Sequence, residues 1–169
     1  RAAVRNAVAR ATAEALAQAF RDFEQDDDAL VAVLHGDRGT FCAGADLKFV
    51  SDAAQSDDFA GQLMPFLKSL GLLFDAIEGS PLPVIAAVNG LCIAGGLELI
   101  LSCDMVVASE EATFSDAHAT YGLLPAAGGT QRLARILGPR EALPYLTTGK
   151  NMRADKAKKL GVVQEVVPH

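Results

Sequence analysis

Glu98 stands one turn into a helical stretch that the pair Gly95–Gly96 opens, directly after a short apolar run. A strand, a glycine-rich turn and a helix start together aim free backbone N–H groups at one point. Those first N–H groups lack intrahelical acceptors and sit at the partially positive end of the helix. Phosphates use such a site, and so does an oxyanion that forms during a reaction. This turn has neither the Lys-Ser/Thr ending of a phosphate-cradling loop nor the glycine spacing of a dinucleotide fingerprint. With Glu98 as the one ionisable group inside the element, the pattern reads as oxyanion donor plus acid/base. Leu97, Leu99, Ile100 and Leu101 surround the carboxylate with apolar side chains. That disfavours its charged form and suits proton transfer near neutral pH. Plainer readings exist: glycines can serve only tight helix–sheet packing, and a helix carboxylate is more often solvated.

Two other places offer partners. In Ala43-Gly44-Ala45-Asp46 small residues crowd into a turn, Gly44 permits a positive φ or a close backbone approach, and Asp46 has the character of a helix cap. The functional reading is that a second backbone N–H from this loop joins the one at Gly95. His118 lies beside Ser115 and Asp116; a lone histidine is more often structural, yet it can exchange a proton near neutrality. His35 and His169 receive no role. No His/Cys/Asp/Glu group has a metal-ligand spacing, and no Gly-x-Ser-x-Gly elbow is present.

The elements that must position these residues follow from periodicity. Apolar residues from Val4 to Phe23 recur at helical spacing and predict an amphipathic helix over 7–24. Leu30–Leu34 and Val84–Val88 read as buried strands. Residues 50–62 read as a mobile polar loop, and Phe66–Ile77 as a second helix started by Pro65. Leu91–Ala94 reads as a loop before the Gly95 helix. Asp104–Ala108 is a further buried strand, Thr113–His118 a short extended piece, and 119–129 a loop. Helices are expected over 129–137, from Pro139 to before Gly149, and over Ala154–Leu160, with a last strand at Val162–Val167. On the extended reading of 113–118, Asp116 is expected on the other side of the chain from His118. Strand–helix–strand units in series favour an α/β fold with a parallel sheet and right-handed crossovers.

The chain has 169 residues, half of them hydrophobic and about a fifth charged. That is one domain by size, with no internal repeat or linker. The net charge of −6 argues against a general nucleic-acid binder. The three cysteines, Cys42, Cys92 and Cys103, cannot all pair and read as free thiols in a reducing compartment. No run is long and apolar enough to span a bilayer. The chain starts without Met and nearly inside a helix, so an upstream segment is expected. A cytoplasmic location is the expectation, with an organellar matrix left open.

Taken together, the runs TFCAGADLK, PVIAAVNGLCIAGGLEL, SCDMVVASEEATFS, GLLPAAGGTQRLARILG and TGKNMRADKAKKLGVVQEVVP resemble, in order and spacing, the enoyl-CoA hydratase/isomerase (crotonase) family. The resemblance covers essentially the whole chain. It implies a crotonase-like superhelix of ββα units, here without the usual N-terminal strands and C-terminal helical part. It implies an enzyme that stabilises the enolate of an acyl-CoA thioester. By motif position the two oxyanion donors correspond to the N–H groups of Ala45 and Gly95, and the first hydratase glutamate to Glu98. Ala43, Gly44, Ala45, Asp46, Leu47, Lys48 and Gly95 correspond to the coenzyme A path, with Lys48 placed to meet phosphate charge. The second hydratase glutamate is expected four residues after Phe114, and His118 stands there. Relatives with a nearby histidine that cleave β-diketones also carry an Asp in the next loop, where this chain has Pro125-Ala126-Ala127. The resemblance thus implies an enoyl-CoA hydratase-type lyase, with retro-Claisen hydrolysis, double-bond isomerisation, or a non-catalytic acyl-CoA-binding or RNA-binding scaffold role as alternatives. No metal or separate cofactor is implied, coenzyme A being part of the substrate. The assembly implied is a homotrimer or a dimer of trimers.

Overall fold

Two short apolar stretches flank Asn89–Gly90, and both are strands, one in each of two sheets. The computed structural model describes residues 1–169. In chain order the elements are α1 (Arg10–Glu24), β1 (Ala32–His35), β2 (Thr40–Cys42), α2 (Leu47–Ala54), α3 (Phe59–Glu78), β3 (Val84–Val88), β4 (Leu91–Ile93) and α4 (Gly95–Ile100). They continue with β5 (Met105–Ser109), β6 (Thr113–Ser115), α5 (Gly129–Leu137), α6 (Pro139–Thr148), β7 (Met152–Arg153), α7 (Ala154–Lys159) and β8 (Glu165–Val167). The first sheet has the order β1-β3-β5-β8, all parallel. The second has the order β2-β4-β6-β7, with its first three strands parallel and β7 antiparallel to β6. Each of the first three turns of the chain therefore lays one strand in the first sheet, the next in the second, and then a helical stretch. This is the ββα superhelix of the crotonase fold.

Packing explains which stretches became which elements. On β3, Val84, Ala86 and Val88 are buried on one face, the period-two pattern of a strand covered on that side. Phe66, Leu70, Leu73, Phe74 and Ile77 form the buried stripe of α3, with Ala13, Ala17 and Phe20 of α1 in the same core. Helix α4 is buried from Gly96 to Ile100. It can lie that close because Gly96 has no side chain: a Cβ there would fall 2.5 Å from the Cys42 carbonyl oxygen. Cys42 and Cys92 are buried, Cys103 half-buried, and all three are free thiols. No helix is long and apolar enough to cross a membrane.

Several predicted boundaries are corrected. Residues 50–62 are not one polar loop. They hold most of α2 and the start of α3, because Phe49 of α2 packs edge-on against Phe66, ring centres 5.2 Å apart, and Asp58 caps α3 by accepting from the Gly61 N–H. Pro65 therefore lies inside α3 and does not start it. Leu91–Ile93 is a strand and not a loop: it is too short for a periodic signal, and its pairing comes from β2 and β6. Thr113–His118 is extended only to Ser115, after which Ala117 turns at φ 56° and His118 opens a 3-10 turn to Tyr121. Helix α1 begins at Arg10, since Val8 instead bridges to Ala45. The last strand is limited to Glu165–Val167.

A methyl group at position 96 must push α4 off β2. Gly96→Ala is expected to lose about 1–3 kcal/mol of stability, as overpacked cores do, read as a lower denaturation midpoint in urea.

Candidate active site

Strands β2, β4 and β6 are parallel neighbours, Cys42 beside Cys92 and Cys92 beside Phe114, with a register shift in β2 between Thr40 and Cys42. Their C-terminal ends therefore open side by side. From β2 the chain runs into Ala43–Ala45, from β4 into Ala94–Gly95, and from β6 into Asp116–His118. Gly44 takes φ +87°, and a Cβ on it would meet the Gly95 nitrogen at 3.0 Å. A Cβ on Gly95 would in turn lie 3.5 Å from the Ala45 nitrogen. Ala94 holds φ 50° and ψ −121°, a strained setting for a residue with a Cβ, and it turns the next N–H out of β4.

Three neighbouring amides are engaged: Ala43 donates to the Arg5 carbonyl, Asp46 to that of Val8 and Ala94 to that of Ser115. The Ala45 and Gly95 N–H groups donate to no oxygen of the protein. Two adjacent free donors beside a pocket are what an anionic oxygen would bind.

Glu98 is only 2 % exposed. Its Oε1 accepts from the Gly129 N–H at 2.8 Å and the Ala127 N–H at 2.9 Å. Arg132 steadies that loop: it donates to the Ala127 carbonyl and, at 2.6 Å, to Glu78 at the end of α3. Oε2 stays clear of these bonds and lies 3.7 Å from His118 Nε2. Burial pushes the Glu98 carboxyl above its ordinary range, against the opposing Gly129 hydrogen bond and His118 charge.

His118 Nδ1 lies 3.0 Å from Asp116 Oδ1. Asp116 is fully buried, and its Oδ2 has no partner. For the His118 imidazolium, burial pulls the pKa down, but the hydrogen bond and charge of Asp116 and the charge of Glu98 outweigh it. The net shift is upward from 6.5. The expectation that Asp116 points away from His118 is thus overturned. Residues two apart on a strand share a face, so extension alone would not separate the two side chains; here the strand ends at Ser115 and the turn at Ala117 sets Asp116 Oδ1 against the ring.

These groups share one pocket of about 770 Å³, its open mouth included. Gly44, Ala45, Gly95, Glu98 and His118 line one part, and the apolar face of α3, with Leu63, Phe66, Leu67 and Leu70, lines much of the rest. A second apolar hollow adjoins it at Ala45 and His118 and is lined by Ala43, Leu47, Leu91 and Tyr121. Asp46 is not in either lining; it caps α2 and pairs with Arg1 at 2.8 Å. Lys48 is exposed on α2, its Nζ 2.8 Å from Asp52.

Sequence reasoning missed Ala127, Gly129 and Arg132. The signal was available: Ala126-Ala127-Gly128-Gly129 opens α5 as Gly95–Gly96 opens α4, and both helix starts offer spare N–H groups.

Comparison with known proteins agrees with this geometry. The enoyl-CoA hydratase/isomerase family model matches residues 1–169. The peroxisomal bifunctional enzyme of Danio rerio is 38 % identical over 161 residues, 95 % of this chain and 21 % of that protein. The mitochondrial enoyl-CoA hydratase of Pongo abelii is 37 % identical over 163 residues, 96 % of this chain and 54 % of that protein. The solved enoyl-CoA hydratase of Bacillus anthracis superposes with a TM-score of 0.91 at 35 % identity, over 99 % of this chain and 64 % of that one. This chain thus spans little more than half of the mitochondrial relative and about a fifth of the bifunctional one. With the ββα superhelix, the free amides at the ends of β2 and β4, and a family match that runs from the first residue to the last, the chain belongs to the enoyl-CoA hydratase/isomerase family.

Proposed function

We propose that this chain carries the site of an enoyl-CoA hydratase, which adds water across the α,β double bond of a 2-enoyl-CoA thioester. The reading is supported above all by one observation. Glu98 Oε2 and His118 Nε2 lie 3.7 Å apart, in the pocket that the free N–H groups of Ala45 and Gly95 also line.

The thioester oxygen accepts from the Ala45 and Gly95 N–H groups, an oxyanion hole. The acyl tail lies along the apolar face of α3. Ionised Glu98 takes a proton from water while the hydroxyl oxygen bonds to the β-carbon. The π electrons move onto the thioester oxygen as an enolate, where the two donors stabilise the developing charge. His118, as imidazolium, then gives its Nε2 proton to the α-carbon. Glu98 is left protonated and His118 neutral, and a proton passing from Oε2 to Nε2 restores the start. Coenzyme A enters as part of the substrate. Ala43 and Leu47 lie along its arm in the second hollow, and Asp46 and Lys48 stand at the surface where its phosphates would meet the Lys48 charge.

Glu98→Gln keeps an acceptor for the Ala127 and Gly129 N–H groups but removes the base. Turnover of crotonyl-CoA is expected to fall by about 10²–10⁴, the usual worth of general acid–base catalysis, with affinity for a saturated acyl-CoA unchanged by calorimetry. Undiminished turnover would remove Glu98 from the mechanism.

The same variant has a stability signature. Because burial raises the Glu98 pKa, the folded state holds that proton more tightly than the unfolded chain, and stability is lost as pH rises through the raised value. Glu98→Gln escapes that loss. Its melting temperature relative to the parent should therefore be higher at pH 8 than at pH 5.

The rate should follow a bell in pH. Its acid limb, set by Glu98, lies above 4.5, and its alkaline limb, set by His118, lies above 6.5. A flat profile across that window in kcat/KM for crotonyl-CoA would contradict the assignment of a base and an acid to these two side chains.

A further inference from the structure

We propose that Asp116 is a positioning residue for this reaction, which holds the His118 ring with Nδ1 toward itself and Nε2 toward Glu98 and keeps the ring charged. The inference rests on the hydratase reading and adds a residue that neither the sequence pattern nor the family resemblance assigns.

The geometry carries it. Asp116 follows directly on β6 and is fully buried. Its Oδ1 faces His118 twice, 3.0 Å from the ring Nδ1 and 3.3 Å from the backbone N–H. Its Oδ2 has no partner. A buried carboxylate with an unused oxygen is costly to desolvate, so its charge needs compensation nearby. His118 is the one cationic side chain within ion-pair distance of it. The ring is thereby clamped at one nitrogen, and the other is left toward the pocket. The charged groups that face the ring are Asp116 on its own turn and Glu98 on α4, while Arg5 lines the adjoining hollow with it. The upward net shift of the imidazolium agrees with this environment.

A purely local role is the competing explanation. Asp116 also shapes the turn into the 3-10 segment, where the His118 N–H donates to both the Asp116 carbonyl, at 2.7 Å, and Oδ1. Asparagine separates the two roles. It keeps an oxygen for the backbone N–H and for Nδ1–H, yet it carries no charge.

In the full chain, Asp116→Asn is expected to lower the His118 pKa toward the ordinary 6.5, read by NMR titration of the histidine ring protons, with the resonance assigned by loss in His118→Gln. The alkaline limb of kcat for crotonyl-CoA should move to lower pH, and kcat should drop about 10- to 100-fold, part of what a proton donor supplies, with KM unchanged. In a His118→Gln background the same exchange should cost nothing further, since coupled residues are non-additive.

An unmoved His118 titration overturns the proposal. So does an equal loss from Asp116→Asn with and without His118. The titration needs no substrate, so its failure tells against Asp116 alone, whereas absence of crotonyl-CoA hydration by the parent chain tells against the reading beneath it.

Discussion

The parallel register of β2, β4 and β6 is the constraint on which the site depends. Parallel strands run the same way, so the residues that leave them emerge at one edge, 4.7–4.9 Å apart per strand in typical sheets, or about 5 Å. Here the residues that leave are Ala43–Ala45, Ala94–Gly95 and Asp116–His118, one set per turn of the superhelix. Ligands of open parallel sheets commonly bind beyond the carboxyl ends of the strands. The second sheet is small, with strands of two or three residues, yet Phe41, Cys42, Cys92, Phe114 and Met152 on it are buried. Its main consequence is geometric: it holds two backbones so close that a Cβ on Gly44 would meet the Gly95 nitrogen at 3.0 Å.

Burial of Glu98 makes the second demand. A carboxylate on a helix that is covered all round must find donors or stay neutral. The Ala127 and Gly129 amides supply two to Oε1, and Arg132 pins the loop that presents them by tying the Ala127 carbonyl to Glu78. One carboxylate oxygen is thus fixed and the other left facing His118. A fixed oxygen sets the direction of the free one, so the same bonds that lower the cost of burial also orient the group for proton transfer.

Much of this was legible because it is local. Val84–Val88 shows as a strand from its own β-branched run, Gly95–Gly96 marks a helix start, and Leu97 to Leu101 foretell the burial of Glu98. The cap at Asp46 and the positive φ at Gly44 could be read from residue type. The second sheet could not. Leu91–Ile93 has too few residues to show a period, and its partners are distant in sequence. Residues 50–62 are polar in sequence and helical because of what Phe49 packs against. The ββα repeat leaves no trace as repeated sequence, since each turn differs in loop length and in residues. Asp116 was misplaced for a specific reason: residues two apart on an extended segment share a face, so the strand period does not separate it from His118, and a positive φ at Ala117 turns the chain between them.

The pairing of a histidine with a glutamate changes the electrostatics of the proposed reaction. Two carboxylates near one water must divide their pKa values to leave one charged and one protonated, because like charges at close range cannot both ionise. An imidazolium and a carboxylate need no such division. Each favours the charged form of the other, so a base and an acid coexist in one pH window, and that window lies between a raised Glu98 and a raised His118. The attraction has its own hazard, for a proton can fall from Nε2 to Oε2 and disarm both. A negative charge on the far side of the ring opposes that transfer, and Asp116, buried against Nδ1, stands where such a charge acts most strongly on the ring.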